Sequence, residues 1–141
     1  MTKSGIEQLK RDEGLSLTPY YCPAGKLTIG YGHVILPHEC KFLKGTITQE
    51  KANELLNKDI VRAKMGAMLY VKNFSLLSNV RQDAIVNMVF NIGWVGFKGF
   101  KRFIDAIENE NWNVAAVELR KSKWYGQVKN RASRIIEANI S

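Results

Sequence analysis

The sequence predicts an α+β protein that is mostly α, with a small N-terminal lobe joined by a long helix to a larger helical lobe. Strand-like alternation is confined to the first third of the chain, where apolar Leu27, Ile29 and Tyr31 are separated by a hydroxyl residue and a glycine. From Thr48 onward the apolar residues recur at helical spacing instead. The 141 residues contain no repeat and no Pro/Gly/Ser-rich linker, so we expect a single domain over residues 1–141.

The first element is predicted to be a helix from Ser4, its N-cap, to Glu13, with Gly14 as the residue that terminates it. Ile6, Leu9 and Glu13 are spaced at i, i+3 and i+7, which places the carboxylate on the apolar face of the helix. Partial loss of hydration disfavours a charged carboxylate and raises its pKa. Glu13 is therefore a candidate general acid.

A turn over residues 23–26 and a strand are predicted to follow. One face of this strand is apolar. The other face carries Thr28, Gly30 and Gly32, which would allow a ligand to approach the backbone closely. Residues 37–45 are predicted to be a loop or the end of a small sheet.

The remainder of the chain is predicted to be helical. Thr48 caps a long helix that runs to about Tyr70. A buried central helix follows, because the apolar residues among positions 80–92 are distributed nearly all round it, and Gly93 ends it. Shorter helices are predicted around residues 99–108, 112–121 and 128–138.

This order of elements defines the expected lobes. The N-terminal lobe covers about residues 13–47, and a connecting helix covers about 48–70. The C-terminal lobe covers 71–141, and the first helix is expected to pack against it. A cleft between two lobes is a common place for a binding site.

The chain is basic, with 21 Lys and Arg against 13 Asp and Glu and a formal net charge of +8. Such a chain is attracted to polyanions, including nucleic acid, acidic lipid and anionic cell-wall polymer. The basic residues are scattered rather than gathered in a run, so we expect no nucleic-acid partner. Charged residues within the first twenty positions also predict that there is no signal peptide and no membrane anchor.

Cys22 and Cys40 are too few for a disulfide framework, and the sequence leaves open whether they ever pair. Two reduced thiols are typical of a cytoplasmic protein. His33, His38 and Cys40 are close in sequence but lack a second cluster of ligands, so we expect no metal site and no cofactor.

Glu13, Cys22 and Thr28 form the array E-x8-C-x5-T, which supplies an acid, a thiol and a hydroxyl around one hairpin. Glycoside hydrolysis needs an acid that protonates the leaving oxygen and a second group that acts as nucleophile or activates water. Taken singly, the three residues have simpler interpretations as a surface glutamate, a small buried thiol and a strand residue. Residue chemistry alone leaves these alternatives open.

Five stretches of sequence extend this array. They are RDEGL at 11–15, LTIGYGH at 27–33, RQDAIVNMVFNIG at 81–93, KSKWY at 121–125 and NRA at 130–132. Together and in this order they resemble the phage-type lysozymes, the endolysins of glycoside hydrolase family 24. The resemblance covers nearly the whole chain and implies a lysozyme-like fold.

The resemblance also implies a muramidase that cleaves the β-1,4 bond between N-acetylmuramic acid and N-acetylglucosamine in peptidoglycan and causes host-cell lysis. Glu13 corresponds to the family's proton donor, and Thr28 to the residue that helps to hold the attacking water. Cys22 falls where many members carry Asp. His33 and Asp59 correspond to a structural ion pair.

Substrate contacts are implied by the same resemblance. Val34, Phe90 and Arg131 correspond to substrate-binding positions, and Arg131 is the arginine that approaches the catalytic glutamate across the cleft. Phe103 and Glu118 fall on two further contact positions but differ in type from the residues of the family pattern. Core packing is an alternative role for Phe90.

A thiol in place of a carboxylate raises the question of its charge. An unperturbed thiol with a pKa of about 8.5 is only ~3% ionised at neutral pH. Positive charge from Lys26 or from a basic rim would lower the pKa of Cys22. The thiolate could serve as base, as nucleophile or as electrostatic support for an oxocarbenium ion, and we favour a base that positions water together with Thr28.

Two other functions stay open at this point. Cys22 and His33 could form the Cys–His pair of an amidase or peptidase, or the basic chain could be a non-catalytic cell-wall-binding module. The lysozyme interpretation implies a monomer that acts on peptidoglycan, with no nucleic-acid partner and no stable membrane insertion. It further implies residence in the host cytoplasm and release to the periplasm and cell wall with the help of a separate holin.

Overall fold

The computed structural model of the chain describes residues 1–40 and 45–140. Within them the helices are α1 (Lys3–Glu13), α2 (Gln49–Tyr70), α3 (Asn79–Lys98), α4 (Lys101–Glu108), α5 (Trp112–Arg120), α6 (Lys123–Gln127) and α7 (Lys129–Ile140), and the strands are β1 (Ser16–Tyr21), β2 (Leu27–Gly30) and β3 (His33–Val34). Short 3-10 turns occur at Pro37–Glu39 and Phe74–Leu76. The predicted α+β, mostly helical fold class is confirmed.

The chain forms two compact units. One comprises Ile6–Val61 and contains the sheet. The other comprises Met1–Gly5 together with the chain from Arg62 onward, and it contains α3 to α7. Helix α2 contributes residues to both units. The single-domain organisation and the lobe boundaries expected from the sequence stay predictions.

Helix α1 begins two residues earlier than predicted. Thr2 is its N-cap, because the Thr2 hydroxyl accepts a hydrogen bond from the backbone N–H of Gly5 at 3.0 Å. The prediction of Ser4 as N-cap is wrong, since Ser4 lies inside the helix while the Asp83 carboxylate holds the hydroxyl and backbone N–H of Thr2 in the capping position. At the other end Gly14 has φ of 69°, the left-handed conformation predicted for the terminating residue.

A tight turn joins β1 to β2. The backbone N–H of Cys22 donates to the carbonyl of Lys26 at 2.9 Å, and the N–H of Gly25 donates to the carbonyl of Cys22 at 2.8 Å. Gly25 adopts φ of 76° in this turn, which glycine does without steric cost. The predicted turn over residues 23–26 is therefore confirmed.

The three antiparallel strands lie in the order β1-β2-β3 and align one row of side chains. Tyr20 pairs with Thr28, and Thr28 pairs with Val34. Directly opposed residues in antiparallel strands point to the same face, so these three side chains form a row across the sheet. Cys22 follows Tyr20 by two residues, immediately after the end of β1.

Helix α2 begins and ends as predicted. Thr48 caps it by accepting a hydrogen bond from the backbone N–H of Lys51 at 3.1 Å, and the helix ends at Tyr70. In the segment before it, Pro37–Glu39 forms a 3-10 turn rather than a strand. Residues 41–44 of the predicted loop lie outside the described residues.

The helices that follow confirm the predicted outline with two corrections. Gly93 has φ of 76° and ψ of 171° and ends the first helical segment of α3, as predicted, but a second helical segment that was not predicted continues through Lys98. Helix α6 is absent from the prediction because it is short; Ser122 caps it by accepting the backbone N–H of Tyr125 at 3.2 Å. Among the described residues, no helix combines the length and apolar character required to cross a bilayer.

His33 is held between two carboxylates in the Ile6–Val61 unit. Its Nδ1 lies 2.7 Å from Asp59 Oδ2, and its Nε2 lies 2.9 Å from Glu39 Oε1. A neutral imidazole has one N–H, so donation to both carboxylates requires the imidazolium form. Burial by itself would lower the pKa of His33, but the hydrogen bonds and charges of Asp59 and Glu39 outweigh it and raise that pKa. The His33–Asp59 ion pair is confirmed, and Glu39 is a second acceptor that the sequence did not indicate.

We expect the Asp59→Asn variant to lose about 2 kcal/mol of unfolding free energy at mildly acidic pH, the value of a hydrogen bond to a charged group. Because the folded-state pKa of His33 is raised, the contribution of the pair is complete below about pH 6.5 and declines as pH rises through that raised pKa. Urea denaturation at a series of pH values measures the difference in unfolding free energy between the wild type and Asp59→Asn.

An exposed carboxylate on the same helix supplies the control for this variant. Glu54 pairs with Lys51 and Lys58 at the surface of α2, where such pairs contribute little, so Glu54→Gln should change stability little at any pH. A loss in Asp59→Asn that stays constant across the titration of His33 would contradict an ionised pair.

Candidate active site

Glu13 is half-buried at the end of α1, and its carboxylate packs against the backbone of Gly32. A Cβ atom on Gly32 would overlap Glu13 Oε2 and approach Glu13 Cδ to 2.9 Å, and Gly32 also has φ of 67°. Only glycine combines this conformation with this clearance. The space beside Gly30 is taken by Ala52 and Ile47. The prediction that both glycines leave room for a ligand is therefore wrong, because their missing side chains make room for the protein itself.

Cys22 is a partly exposed free thiol at the first position of the β1–β2 turn. The backbone N–H of Lys26 has the largest effect on the pKa of the Cys22 thiol and lowers it. Partial burial opposes this effect, while the N–H of Ala24 and the hydroxyl of Thr28 reinforce it, so the pKa of Cys22 lies below that of an ordinary thiol. The sequence named the Lys26 side chain or a basic rim as a source of positive charge, whereas in the structure the backbone N–H groups of the turn and the Thr28 hydroxyl lower this pKa.

Thr28 is buried, and its hydroxyl lies between two acceptors. Its Oγ1 donates to the backbone carbonyl of Lys26 at 2.9 Å, and the same hydroxyl lowers the pKa of the Cys22 thiol. A hydroxyl carries one proton, so it donates to one acceptor at a time. Donation of that proton to the sulfur in place of the Lys26 carbonyl stabilises negative charge on Cys22.

Tyr20 and Val34 flank Thr28 in the row across the sheet, and both side chains are exposed. The row is therefore an accessible surface beside the thiol and the hydroxyl. Partial burial, followed by the negative charges of Glu13 and Cys22, raises the pKa of the Tyr20 phenol. That phenol therefore keeps its proton beside both groups. Sequence reasoning overlooked Tyr20, although its position two residues before Cys22 in a strand predicts a shared face.

Phe90 and Arg131 belong to the unit that starts again at Arg62. Phe90 is half-buried on α3, and the Nε of Arg131 donates to Oδ1 of Asn87 at 2.8 Å. Asn87 is buried and lies one helical turn before Phe90, so α3 presents these residues on one side. The contacts of Phe90 and Arg131 with substrate, and the approach of Arg131 to Glu13, stay predictions.

Phe103 and Glu118 line a cavity of about 530 Å³ in the same unit. Phe103 is only 1% exposed, and its ring meets that of Phe97 edge-on with centroids 6.4 Å apart. Phe103 is therefore a core residue at the wall of this cavity. Glu118 is partly exposed and pairs with Lys121 at 3.5 Å.

The alternative Cys–His site is not supported by the geometry. Both ring nitrogens of His33 are bonded to carboxylates, so neither is available to take a proton from Cys22. His33 pairs with Ile29, next to the Thr28–Val34 pair, and therefore points to the other face of the sheet. Within residues 1–40 and 45–140, no group of three or more His, Cys, Asp and Glu side chains is arranged to hold a metal ion.

Comparison with known proteins extends these observations. The family described as Phage lysozyme matches residues 10–134 of the chain. A protein named Probable T4-type lysozyme 2, from Dictyostelium discoideum, is 32% identical over 162 aligned residues that cover 96% of this chain and 93% of that protein. The Endolysin of Salmonella phage P22 is 33% identical over 119 residues, covering 82% of this chain and 78% of that protein. The Pre-baseplate central spike protein Gp5 of Enterobacteria phage T4 is 32% identical over 158 residues, covering 94% of this chain and 27% of that protein.

We expect Gly32→Ala to reduce activity more than it reduces stability, because the new methyl group would displace the Glu13 carboxylate. Gly14→Ala is the matched control. Gly14 has a similar φ of 69°, so an alanine at either position carries backbone strain of about 1 kcal/mol. A Cβ at Gly14 meets no atom within 4 Å, so only the Gly32→Ala variant also collides with Glu13. Hydrolysis rates and thermal unfolding temperatures, measured for both variants and the wild type, separate the effect on activity from the effect on stability. Equal loss of activity in both variants would contradict a specific role for the Gly32 clearance.

Proposed function

The chain belongs to the phage lysozyme family, and we propose that Glu13, Cys22 and Thr28 carry its lysozyme activity. The bond cleaved is the β-1,4 bond between N-acetylmuramic acid and N-acetylglucosamine in peptidoglycan. The observation that carries this assignment is the thiol of lowered pKa beside the Thr28 hydroxyl, on the accessible face of the sheet. Glu13 lies in the same compact unit, packed against Gly32.

In the proposed reaction Glu13 is the general acid. It transfers its proton to the glycosidic oxygen as the bond from that oxygen to the anomeric carbon breaks. The positive charge that develops on the sugar ring is then neutralised by attack of water on the anomeric carbon. Glu13 must therefore start each cycle protonated and end it ionised.

Cys22 and Thr28 supply the second function. The Cys22 thiolate accepts a proton from the attacking water while Thr28 orients that water, and the new C–O bond forms on the side of the sugar facing the sheet. Proton exchange with solvent returns Cys22 to the thiolate and Glu13 to the acid. We favour this role as a base over direct attack of the sulfur on the anomeric carbon.

Three further residues are assigned to the binding of the glycan. Val34 is exposed opposite Thr28, where an aliphatic side chain can contact the apolar face of a sugar. Phe90 offers part of an aromatic ring at the surface of α3. Arg131, oriented by Asn87, supplies a cation for polar groups of the substrate.

The biological role proposed for the enzyme is that of an endolysin. A relative that matches over most of its length carries that name. In this role the protein is a monomer that accumulates in the host cytoplasm and reaches the periplasm and cell wall when a separate holin opens the membrane, and the host cell lyses. The basic character of the chain, with a net charge of +8, favours association with an anionic envelope.

We expect Glu13→Gln to lower the release of reducing sugar ends from purified peptidoglycan by about a hundredfold or more, because the amide cannot donate the required proton. Cys22→Asp should stay active, since a carboxylate replaces the thiolate. Cys22→Ala should lose at least about tenfold, because no base remains at that position. Circular dichroism and thermal unfolding establish that each variant is folded.

The control for these variants is Cys40→Ser, which removes the other thiol and should leave the rate unchanged. A thiol-blocking reagent should inhibit the Cys40→Ser protein and spare the protein that carries both Cys40→Ser and Cys22→Asp. Full activity in folded Glu13→Gln would disprove the assignment of the acid. Release of free amines in place of reducing ends would instead indicate an amidase or peptidase.

A further inference from the structure

The C-terminal part of helix α2 exposes an apolar face. Met65, Met68 and Leu69 have exposed fractions of 55%, 54% and 61%. Their spacing of three and four residues places them side by side on the helix, while Ala67 is buried on the opposite side. Single exposed apolar side chains are ordinary at protein surfaces, but three adjacent ones on one helical face form a patch.

The surroundings of this patch are basic. Between Ile60 and Gln82 the sequence has four basic residues, at positions 62, 64, 72 and 81, and no Asp or Glu. Lys64 lies one helical turn before Met68, and Lys72 follows the end of the helix, both exposed. The carboxylate of Glu108 does approach the segment, where it accepts the backbone N–H of Lys72 at 2.7 Å.

We propose that this face of α2 is a docking surface for an anionic lipid bilayer. Met65, Met68 and Leu69 enter the interface between headgroups and acyl chains, and Lys64 and Lys72 contact lipid phosphates. Apolar side chains bordered by lysines are the pattern by which helices lie in the plane of a membrane surface. Basic side chains close to an anionic leaflet add to the attraction.

Charge and chemistry favour a lipid bilayer at this face over a second copy of the chain or a wall polymer. A second copy of the chain would bring an equal cluster of positive charge against the first, which disfavours self-association through this face. A wall polymer supplies anionic groups without an apolar layer to receive the methionines and the leucine. A bilayer that contains acidic lipid supplies both.

Lipid docking would concentrate the enzyme at the cytoplasmic membrane while its substrate lies beyond that membrane. Lipid docking by this face does not depend on which residues carry out hydrolysis. Hydrolysis of purified peptidoglycan therefore serves as an independent check that each variant below is folded. A failure of the active-site assignment and a failure of lipid docking would appear in separate assays.

Vesicle co-sedimentation of the full chain tests the proposal. The wild type should bind mixed phosphatidylglycerol–phosphatidylcholine vesicles and should bind pure phosphatidylcholine vesicles weakly. Substitution of Met65, Met68 and Leu69 by Ser should weaken binding to the mixed vesicles about tenfold or more. The charge variant Lys64→Glu with Lys72→Glu should weaken it to a similar degree.

Matched variants elsewhere on the surface decide whether the effect belongs to this face. Substitution of the exposed Val95, Val114 and Val117 by Ser removes three apolar side chains, and Lys98→Glu with Lys129→Glu makes an equal change of charge. Both controls should bind nearly as the wild type does. Losses as large in the controls would show attraction by net charge alone and would overturn the proposal. A dimer of the wild type that the triple Ser variant abolishes, with no vesicle binding, would also overturn it.

Discussion

The turn between β1 and β2 is the constraint on which the candidate site depends. Its backbone hydrogen bond from Cys22 to Lys26 sets the register in which Tyr20 lies opposite Thr28. A slip by one residue would turn Thr28 to the other face of the sheet and separate it from the thiol. The backbone N–H groups of the same turn lower the pKa of Cys22, so one local structure sets the position of the thiol and favours its ionisation.

One face of the sheet carries the stabilising ion pair of the Ile6–Val61 unit, and the other face carries the candidate site. His33 points away from the candidate site and joins the short strand β3 to Asp59 on α2 and to Glu39 in the 3-10 turn. Its neighbour Val34 points to the site face opposite Thr28. Because strand residues alternate, fixing the imidazolium between two carboxylates also fixes the orientation of Val34. Stability and site geometry are therefore coupled through adjacent residues.

Local signals made much of this structure predictable. Gly14 and Thr48 mark helix ends through conformations and hydrogen bonds formed within a few residues, and both predictions are confirmed. Thr2 was missed as a cap because the residue that holds it, Asp83, is 81 positions away. The strand pattern identified Gly32 as a special position. It could not predict the role of this glycine, because the Glu13 carboxylate that occupies the space beside it comes from α1. The source of the lowered pKa of Cys22 was also hidden, since backbone dipoles leave no signature in side-chain composition.

The central claim is that the β1–β2 turn and Thr28 together lower the pKa of the Cys22 thiol. An ultraviolet titration of the thiolate in a Cys40→Ser background, with and without Thr28→Val, tests this claim most directly. The account predicts a midpoint for Cys22 below the ordinary thiol pKa of about 8.5, and a higher midpoint in Thr28→Val because the hydroxyl donor is lost. A midpoint at or above the ordinary value that Thr28→Val leaves unmoved would contradict the account.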